Sequence, residues 1–200
     1  MKAIILVCSA RRYGNCYDFA RFMQGKMVER GVETELVNFC DHEIQPCHRC
    51  NYECLAHLDP SIGHDLPCPI KDDVAMIWKL TWSADLLLMF VPNYGGSPPA
   101  LWLSFVQRYQ SLWRQEPKDL SEKFSGAVVL SSPEGAPSGE LTVPEVIKEL
   151  ISEGRKVIGF EVVNTHAYEL GNVWKGLIEH DEIRQRLSWL VDQMLEKIKV

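Results

Sequence analysis

The sequence lacks any apolar run close to the roughly 20 residues that a membrane-spanning helix requires. Its first residues also lack the pattern of a signal peptide with its cleavage site. There is no excess of basic residues, since 21 lysines and arginines stand against 27 aspartates and glutamates and give a net charge of −6. Nucleic acid backbones are held by dense basic patches. We therefore expect a cytoplasmic protein that binds neither nucleic acid nor a membrane.

Two common nucleotide-binding signatures are absent as well. Without a Gly-Lys-Ser/Thr segment, the chain has no lysine and magnesium-binding hydroxyl of the kind that nucleoside triphosphate chemistry requires. Without G-x-G-x-x-G, it has no dinucleotide fingerprint. The chain has 200 residues, 46% of them apolar, and this is enough to bury a full core. We predict a single domain over residues 1–200, with a cysteine-rich insertion at about residues 41–71.

Apolar and β-branched runs alternate with helical patterns along the chain. Strands are predicted at residues 3–7, 33–39, 86–91, 126–130 and 156–163, and the last three resemble strands covered on both faces. Amphipathic helical stripes lie at residues 19–27, 74–81, 102–113, 143–151 and 183–198, the fourth after a capping box of Thr142 and Glu145. This order predicts an α/β fold of the flavodoxin type: a doubly wound, five-stranded parallel sheet, ordered 2-1-3-4-5, with helices on both faces.

The segment after the first strand has the chemistry of an anion site. An apolar strand feeds a polar loop and then a helix N-terminus, whose free N–H groups and positive dipole end favour a phosphate. Ser9 supplies a hydroxyl, Arg11 and Arg12 supply charge, Gly14 permits close backbone approach, and Asn15 is a suitable N-cap. An ordinary loop with solvated arginines is the alternative. We interpret this loop as a phosphate site.

A second unusual loop follows the third strand, with the sequence PNYGGSPP at residues 92–99. In a 2-1-3-4-5 sheet, strands one and three are neighbours, so both loops are predicted at the switch point where open α/β sheets bind ligands. A simple Gly/Pro-rich turn is the alternative. Residues 93–96 offer backbone N–H groups, close approach and an aromatic wall to a flat redox ring. FMN fits both loops, since it carries one phosphate and one isoalloxazine.

The two loops also carry a family resemblance. Residues 8–15, CSARRYGN, resemble the S-x-R-x-x-G-N loop of the NADPH-dependent FMN reductases, and residues 91–98, VPNYGGSP, resemble their P-x-Y-x-x-x-P segment. Together with Cys47, Cys50 and the CPIKDD of residues 68–73, the pattern is similar to the branch called iron-sulfur flavoproteins. The resemblance spans about residues 1–135. It implies a homodimer or tetramer.

The resemblance also implies which residues bind FMN. The phosphate would be held by Ser9, Arg11, Gly14, Asn15 and Cys16, the last where a hydroxyl residue is usual. The ring would be lined by Pro92, Asn93, Tyr94, Gly95 and Gly96, with a further contact from the loop after strand four, including Ser132 and Gly135. Tyr94 and Trp102 are candidate walls of the stacking pocket, although the helical spacing of Trp102 favours the core.

Four cysteines form a separate candidate site, with the spacing C-x2-C-x3-C-x13-C at Cys47, Cys50, Cys54 and Cys68. Four thiolates can hold a 4Fe-4S cluster or a tetrahedral zinc. Unligated thiols are the third possibility, because the two later gaps are longer than those of the iron-sulfur flavoproteins. Cys8 and Cys40, near strand ends, are interpreted as small buried apolar residues.

The function implied is transfer of hydride or electrons through bound FMN. NAD(P)H would be the co-substrate, and the acceptor a quinone, free flavin, metal or other small molecule. No protein acid or base is required, so we predict no catalytic side chain. One alternative is an electron carrier between protein partners, with FMN and an iron-sulfur cluster. Another is a metal-stabilised binding module with no cofactor in the crevice.

Overall fold

The computed structural model describes residues 1–48, 68–112, 119–131, 141–165 and 175–199. Five parallel strands form one sheet in the order β2-β1-β3-β4-β5, which confirms the predicted fold. The strands are β1 Lys2–Val7, β2 Glu33–Asn38, β3 Leu86–Pro92, β4 Phe124–Ser131 and β5 Lys156–Asn164. The helices are α1 Asn15–Glu29, α2 Val74–Ser83, α3 Ala100–Gln107, α4 Thr142–Ser152 and α5 Asp181–Ile198. In the described part of the chain, no helix is both long and apolar enough to span a membrane.

The helices cover the two faces of the sheet and produce two apolar clusters. Helices α1 and α5 pack on one face, where Phe19 and Met194 are fully buried against the strands. Helices α2, α3 and α4 pack on the other face, around Trp78 and Phe105, whose rings stack with centroids 4.4 Å apart. Strands β1 and β3 lie between these layers and are almost fully buried, as their continuous apolar sequences predict. Trp102 is 1% exposed and belongs to this core, as its spacing indicates.

Strand β5 is covered on both faces less completely than predicted, with Ile158 against one apolar cluster and Phe160 and Val162 against the other. It forms an edge of the sheet, and only Val163 along its length is buried. Side chains of α5 donate hydrogen bonds to backbone carbonyls of this strand: Lys197 Nζ donates to Ile158, and Arg186 Nη2 donates to Val162. This edge position follows from the strand order 2-1-3-4-5, which the sequence had already predicted.

Two local helix predictions are also wrong. The stripe predicted over residues 102–113 breaks because α3 ends at Gln107 and a 3-10 turn follows at Arg108–Ser111; Trp113 lies outside the described residues. Thr142 lies inside α4 and makes no capping box, since Leu141 is the N-cap and no side chain caps it. The hydroxyl of Thr142 instead donates to Asn93 Oδ1 at 2.8 Å. This tertiary partner takes the group that a cap would use.

Glu149 on α4 makes the stability of the fold depend on pH. Burial raises the pKa of its carboxyl from 4.5 to about 7, while Lys148 acts in the opposite direction and Glu145 adds to the rise. The folded chain therefore keeps a proton that the unfolded chain releases near pH 4.5. The contribution of the protonated Glu149 carboxyl to the free energy of unfolding is complete below pH 4.5 and is lost as the pH rises through about 7.

Glu149→Gln, which cannot ionise, should therefore stabilise the protein only at the higher pH. We expect the free energy of unfolding to rise by about 1–2 kcal/mol at pH 8, after allowance for partial solvation, and to stay unchanged at pH 4. Urea unfolding at the two pH values measures the difference. An increase of the same size at both pH values would contradict a role for ionisation.

Candidate functional site

The two loops singled out in the sequence meet at the carboxyl edge of the sheet. Strands β1 and β3 are parallel neighbours, and the Cys8 N–H donates to the Phe90 carbonyl at 3.0 Å. Beyond this bond, the Ser9 and Tyr94 hydroxyl oxygens lie 3.0 Å apart, within hydrogen-bond distance. The guanidinium of Arg11 lies over the Tyr94 ring, 5.6 Å from its centroid. Residues 85 positions apart in the chain thus form one crevice.

The first loop is held in shape by the end of β2 as well as by itself. The Arg11 N–H donates to Ser9 Oγ at 3.0 Å, and Asn38 Nδ2 donates to the Arg12 carbonyl at 2.9 Å. The Cys40 thiol donates to the Ser9 carbonyl, with sulfur and oxygen 3.2 Å apart. Cys40 is only partly buried, so its prediction as a simple buried apolar residue is wrong. The partners of Asn38 Nδ2 and of the Cys40 thiol lie 26 and 31 positions away, so no local sequence pattern indicates these two bonds.

The two adjacent arginines of this loop have different surroundings. Arg12 forms an ion pair with Asp41 at 2.7 Å and donates to the Cys40 carbonyl at 3.2 Å. Arg11 instead extends over Tyr94, on the crevice side of the loop. Of the two guanidinium groups, that of Arg11 is therefore next to the second loop.

The N-terminus of α1 differs from the sequence prediction. Gly14 is the N-cap and makes no side-chain cap, whereas Asn15 is buried inside the first turn and its Oδ1 accepts from the Leu177 N–H at 3.1 Å. The backbone N–H groups of Gly14, Cys16 and Tyr17 have no hydrogen-bond partner within the described residues. Such unpartnered donors at the positive end of a helix are suited to an oxyanion.

Cys16 is placed in the core rather than in the crevice. Its side chain is 3% exposed and packs in the same cluster as Phe19. Burial raises the pKa of its thiol to about 12, although Arg11 acts in the opposite direction. The thiol is therefore neutral at physiological pH. The donor that Cys16 offers in the first turn of α1 is its backbone N–H.

The second loop is a tight two-glycine turn. Tyr94 and Ser97 exchange backbone hydrogen bonds at 2.8 and 3.2 Å, and the glycines between them have φ values of 60° and 86°. Two consecutive positive φ values are typical of a type I′ turn, which favours glycine at both positions. In the described part of the chain, the N–H groups of Gly95 and Gly96 have no partner, and no atom lies within 4 Å of where a Cβ would be. This turn presents free donors to open space.

The remaining residues predicted around the ring are more deeply placed. Pro92 is the last residue of β3. The Asn93 N–H donates to the Leu130 carbonyl at 2.7 Å, and the Asn93 side chain accepts from the Thr142 hydroxyl. Asn93 therefore fixes the turn to β4 and α4. Ser131 ends β4 and is buried. The predicted contacts Ser132 and Gly135 lie outside the described residues.

The two ends of the cysteine-bearing connection, residues 42–45 and 72–73, are held together by a buried ion pair. Arg108 donates from Nη1 to Asp72 Oδ2 at 2.8 Å and from Nη2 to Oδ1 at 3.2 Å, and both side chains are 3% exposed or less. The pair also bonds the backbone of Gln45, whose N–H donates to Asp72 and whose carbonyl accepts from Arg108. This pair was not predicted, because its two residues lie 36 positions apart in the chain. An arginine inside the apolar stripe of residues 102–113 was the available signal.

The candidate metal ligands are only partly described. Cys47 and Cys68 flank the junction, are partly buried and have free thiols, whereas Cys50 and Cys54 lie outside the described residues. Among the described residues, no group of three or more His, Cys, Asp or Glu side chains could hold a metal ion. Cys8 is fully buried, as predicted, and its pKa is raised well above the ordinary value by burial.

Comparisons with known proteins agree with this fold and with these motifs. An iron-sulfur flavoprotein of Methanocaldococcus jannaschii is 28% identical over 159 residues, which are 80% of this chain and 76% of that protein. Among solved structures, RosB with a bound riboflavin-phosphate intermediate has a TM-score of 0.70 at 15% identity, covering 100% of this chain and 79% of its own. Flavodoxin 1 of Bacillus cereus has a TM-score of 0.61 at 15% identity, with 98% of both chains covered.

These two structural likenesses show the fold, and the assignment to a family rests on the sequence. The sequence model of the family described as NADPH-dependent FMN reductase matches residues 1–173. These residues include both crevice loops and the cysteine-bearing connection. That range extends past the residues whose motifs carry the resemblance. The chain belongs to the NADPH-dependent FMN reductase family.

Proposed function

We propose that this protein binds FMN in the crevice between its two loops and oxidises NAD(P)H, passing electrons to a small acceptor such as a quinone, a flavin or a metal. The observation that carries the proposal is the 3.0 Å contact between the Ser9 and Tyr94 hydroxyls, which joins the two loops. FMN, when bound, supplies the hydride and single-electron chemistry. A cytoplasmic location and a homo-oligomeric state belong to the same proposal.

The first loop fits the phosphate of this cofactor. The unpartnered N–H groups of Gly14, Cys16 and Tyr17 would donate to the phosphate oxygens, and the Ser9 hydroxyl and Arg11 guanidinium would add polar and charged contacts. Cys16 contributes through its backbone, since its thiol is buried and neutral. Asn15 contributes by fixing α1 to the Leu177 turn.

The second loop fits the polar edge of the ring. Gly95 and Gly96 have free N–H groups and open space beside them, which together permit a flat ring to approach the backbone closely. Tyr94 would supply an aromatic wall, while Pro92 and Asn93 would hold the turn at the end of β3. The role of these residues is to bind, orient and exclude water, so no protein acid or base is assigned.

The experiment is a titration of the purified full chain with FMN, followed by kinetics. We expect saturable quenching of flavin fluorescence at one FMN per chain, and oxidation of NADPH or NADH by an artificial acceptor only when FMN is present. A protein that stays colourless and leaves FMN fluorescence unchanged would overturn both redox functions and favour a binding module. The same assay run with NADH and NADPH separately gives the preferred nicotinamide.

A second function is an electron carrier that combines FMN with an iron-sulfur cluster. It is favoured by the name of the Methanocaldococcus jannaschii relative and by Cys47 and Cys68, which flank one junction of this chain. Zinc and unligated thiols are the other states of these cysteines. An anaerobic visible spectrum with iron, zinc and acid-labile sulfide assays separates the three. Steady NAD(P)H turnover with an artificial acceptor would count against a role as carrier alone.

A further inference from the structure

A cavity of about 270 Å³ lies beside the junction of the cysteine-bearing connection, between α2 and the 3-10 turn after α3. Ile70 and Leu112 give it apolar walls, and Ser111 gives it a hydroxyl. Three cationic side chains line it as well: Lys71, Lys79 and Arg108. The two crevice loops contribute no residue to this lining. It is therefore a second concave site, distinct from the crevice.

Arg108, one of the residues that line this cavity, has one buried donor without an acceptor. Its guanidinium has five N–H groups, and the bonds from its Nη1 and Nη2 go to Asp72 and the Gln45 carbonyl. Its side chain is only 3% exposed. Its Nε is buried and has no hydrogen-bond partner among the described residues. A buried donor left unpaired is unfavourable.

The charge of the cavity points to the kind of acceptor. Among the described residues that line it, three cations stand against the one carboxylate of Asp72, although the protein as a whole has a net charge of −6. Within the part of the chain that the structure describes, neither Lys71 nor Lys79 has an ion pair or a hydrogen bond that would neutralise it. Lysine and arginine donors around a small cavity favour an oxyanion.

We propose that this cavity binds a small organic anion, namely a carboxylate carried on a compact apolar body. The carboxylate would accept from the cationic side chains, and the apolar body would contact Ile70 and Leu112. The volume is slightly below the range of sites that bind drug-sized ligands, about 300–1,000 Å³, so a dinucleotide would not fit. The inference does not rest on FMN binding, because none of the proposed FMN contacts lines this cavity.

Benzoate is a suitable probe because it combines a carboxylate with a compact ring. Calorimetric titration of the full chain should give saturable binding, and inorganic phosphate, which has no apolar body, should bind at least about tenfold more weakly. Lys79→Glu should weaken benzoate binding by about tenfold or more, the scale of a lost charged hydrogen bond. Lys79 is exposed, so this variant should fold normally, as circular dichroism would verify.

Lys148→Glu is the matched control, since it makes the same charge change at an exposed lysine of α4 away from the cavity. It should leave benzoate affinity unchanged. Absence of saturable benzoate binding, or equal weakening in the two lysine variants, would overturn the proposal. Equal affinity for phosphate and benzoate would overturn the part that concerns the apolar walls. FMN affinity measured on the same samples should be unchanged by Lys79→Glu, so that failure here is distinguishable from failure of the proposed function.

Discussion

Asp72→Ala should lower the free energy of unfolding by about 3–5 kcal/mol, the largest single-residue loss that we expect in this chain. The substitution removes the carboxylate that faces the buried guanidinium of Arg108 and leaves that charge without its partner. It also removes the acceptor for the Gln45 N–H and for the Val74 N–H at the start of α2. Urea unfolding at neutral pH measures the change.

The control for this prediction is an ion pair that is exposed to solvent. Lys148 and Glu145 are 72% and 47% exposed and lie 3.4 Å apart on α4. Exposed pairs of this type contribute about 0–1 kcal/mol, so Glu145→Ala should change the free energy of unfolding by less than about 1 kcal/mol. If Asp72→Ala proved as mild as Glu145→Ala, the buried pair would not be what joins the two ends of the connection.

Arg11→Ala should weaken FMN binding by about 1.5–3 kcal/mol, the scale of a hydrogen bond to a charged group. At 1.4 kcal/mol for each factor of ten, this is a rise in Kd of roughly 10-fold to 150-fold. The physical reason is that Arg11 extends on the crevice side of the phosphate loop, over Tyr94. Fluorescence titration with FMN measures the change, at constant ionic strength because contacts with phosphate are screened by salt.

Arg12→Ala is the matched control for Arg11→Ala, because the two residues are adjacent and carry the same charge. The guanidinium of Arg12 is already bound to Asp41 and to the Cys40 carbonyl. Its loss should therefore change FMN affinity by no more than a few-fold. Equal losses in the two variants would mean that only the net charge of the loop matters, and an unchanged Kd in Arg11→Ala would move the phosphate elsewhere.

The convergence of the two crevice loops could be predicted from the sequence because it follows from strand order. Apolar runs and helical stripes alternate along the chain, and alternation of this kind gives a parallel sheet in which neighbouring strands end at the same edge. The contact between Ser9 and Tyr94 is a consequence of that rule. The double glycine at residues 95 and 96 likewise indicated a tight turn, and its positive φ values are confirmed.

Side-chain partners were predicted less well, because a residue that can cap a helix can also bond a distant group. Asn15 and Thr142 were both interpreted as local caps, yet their side chains bond Leu177 and Asn93, which are 162 and 49 positions away. A side-chain cap at a helix N-terminus contributes about 1 kcal/mol to stability, and a buried tertiary hydrogen bond contributes a similar amount. The sequence contains no term that decides between them.

By itself, the sequence determined the class of fold, the strand order and the family, because periodicity, chain order and short motifs are properties of the chain alone. The tertiary structure decided which donors are free at the crevice and which arginine faces it. It also brought Asp72 to Arg108 at the wall of a cationic cavity. Burial and hydrogen-bond partnership depend on contacts between residues far apart in the chain, and these exist only after the elements have packed.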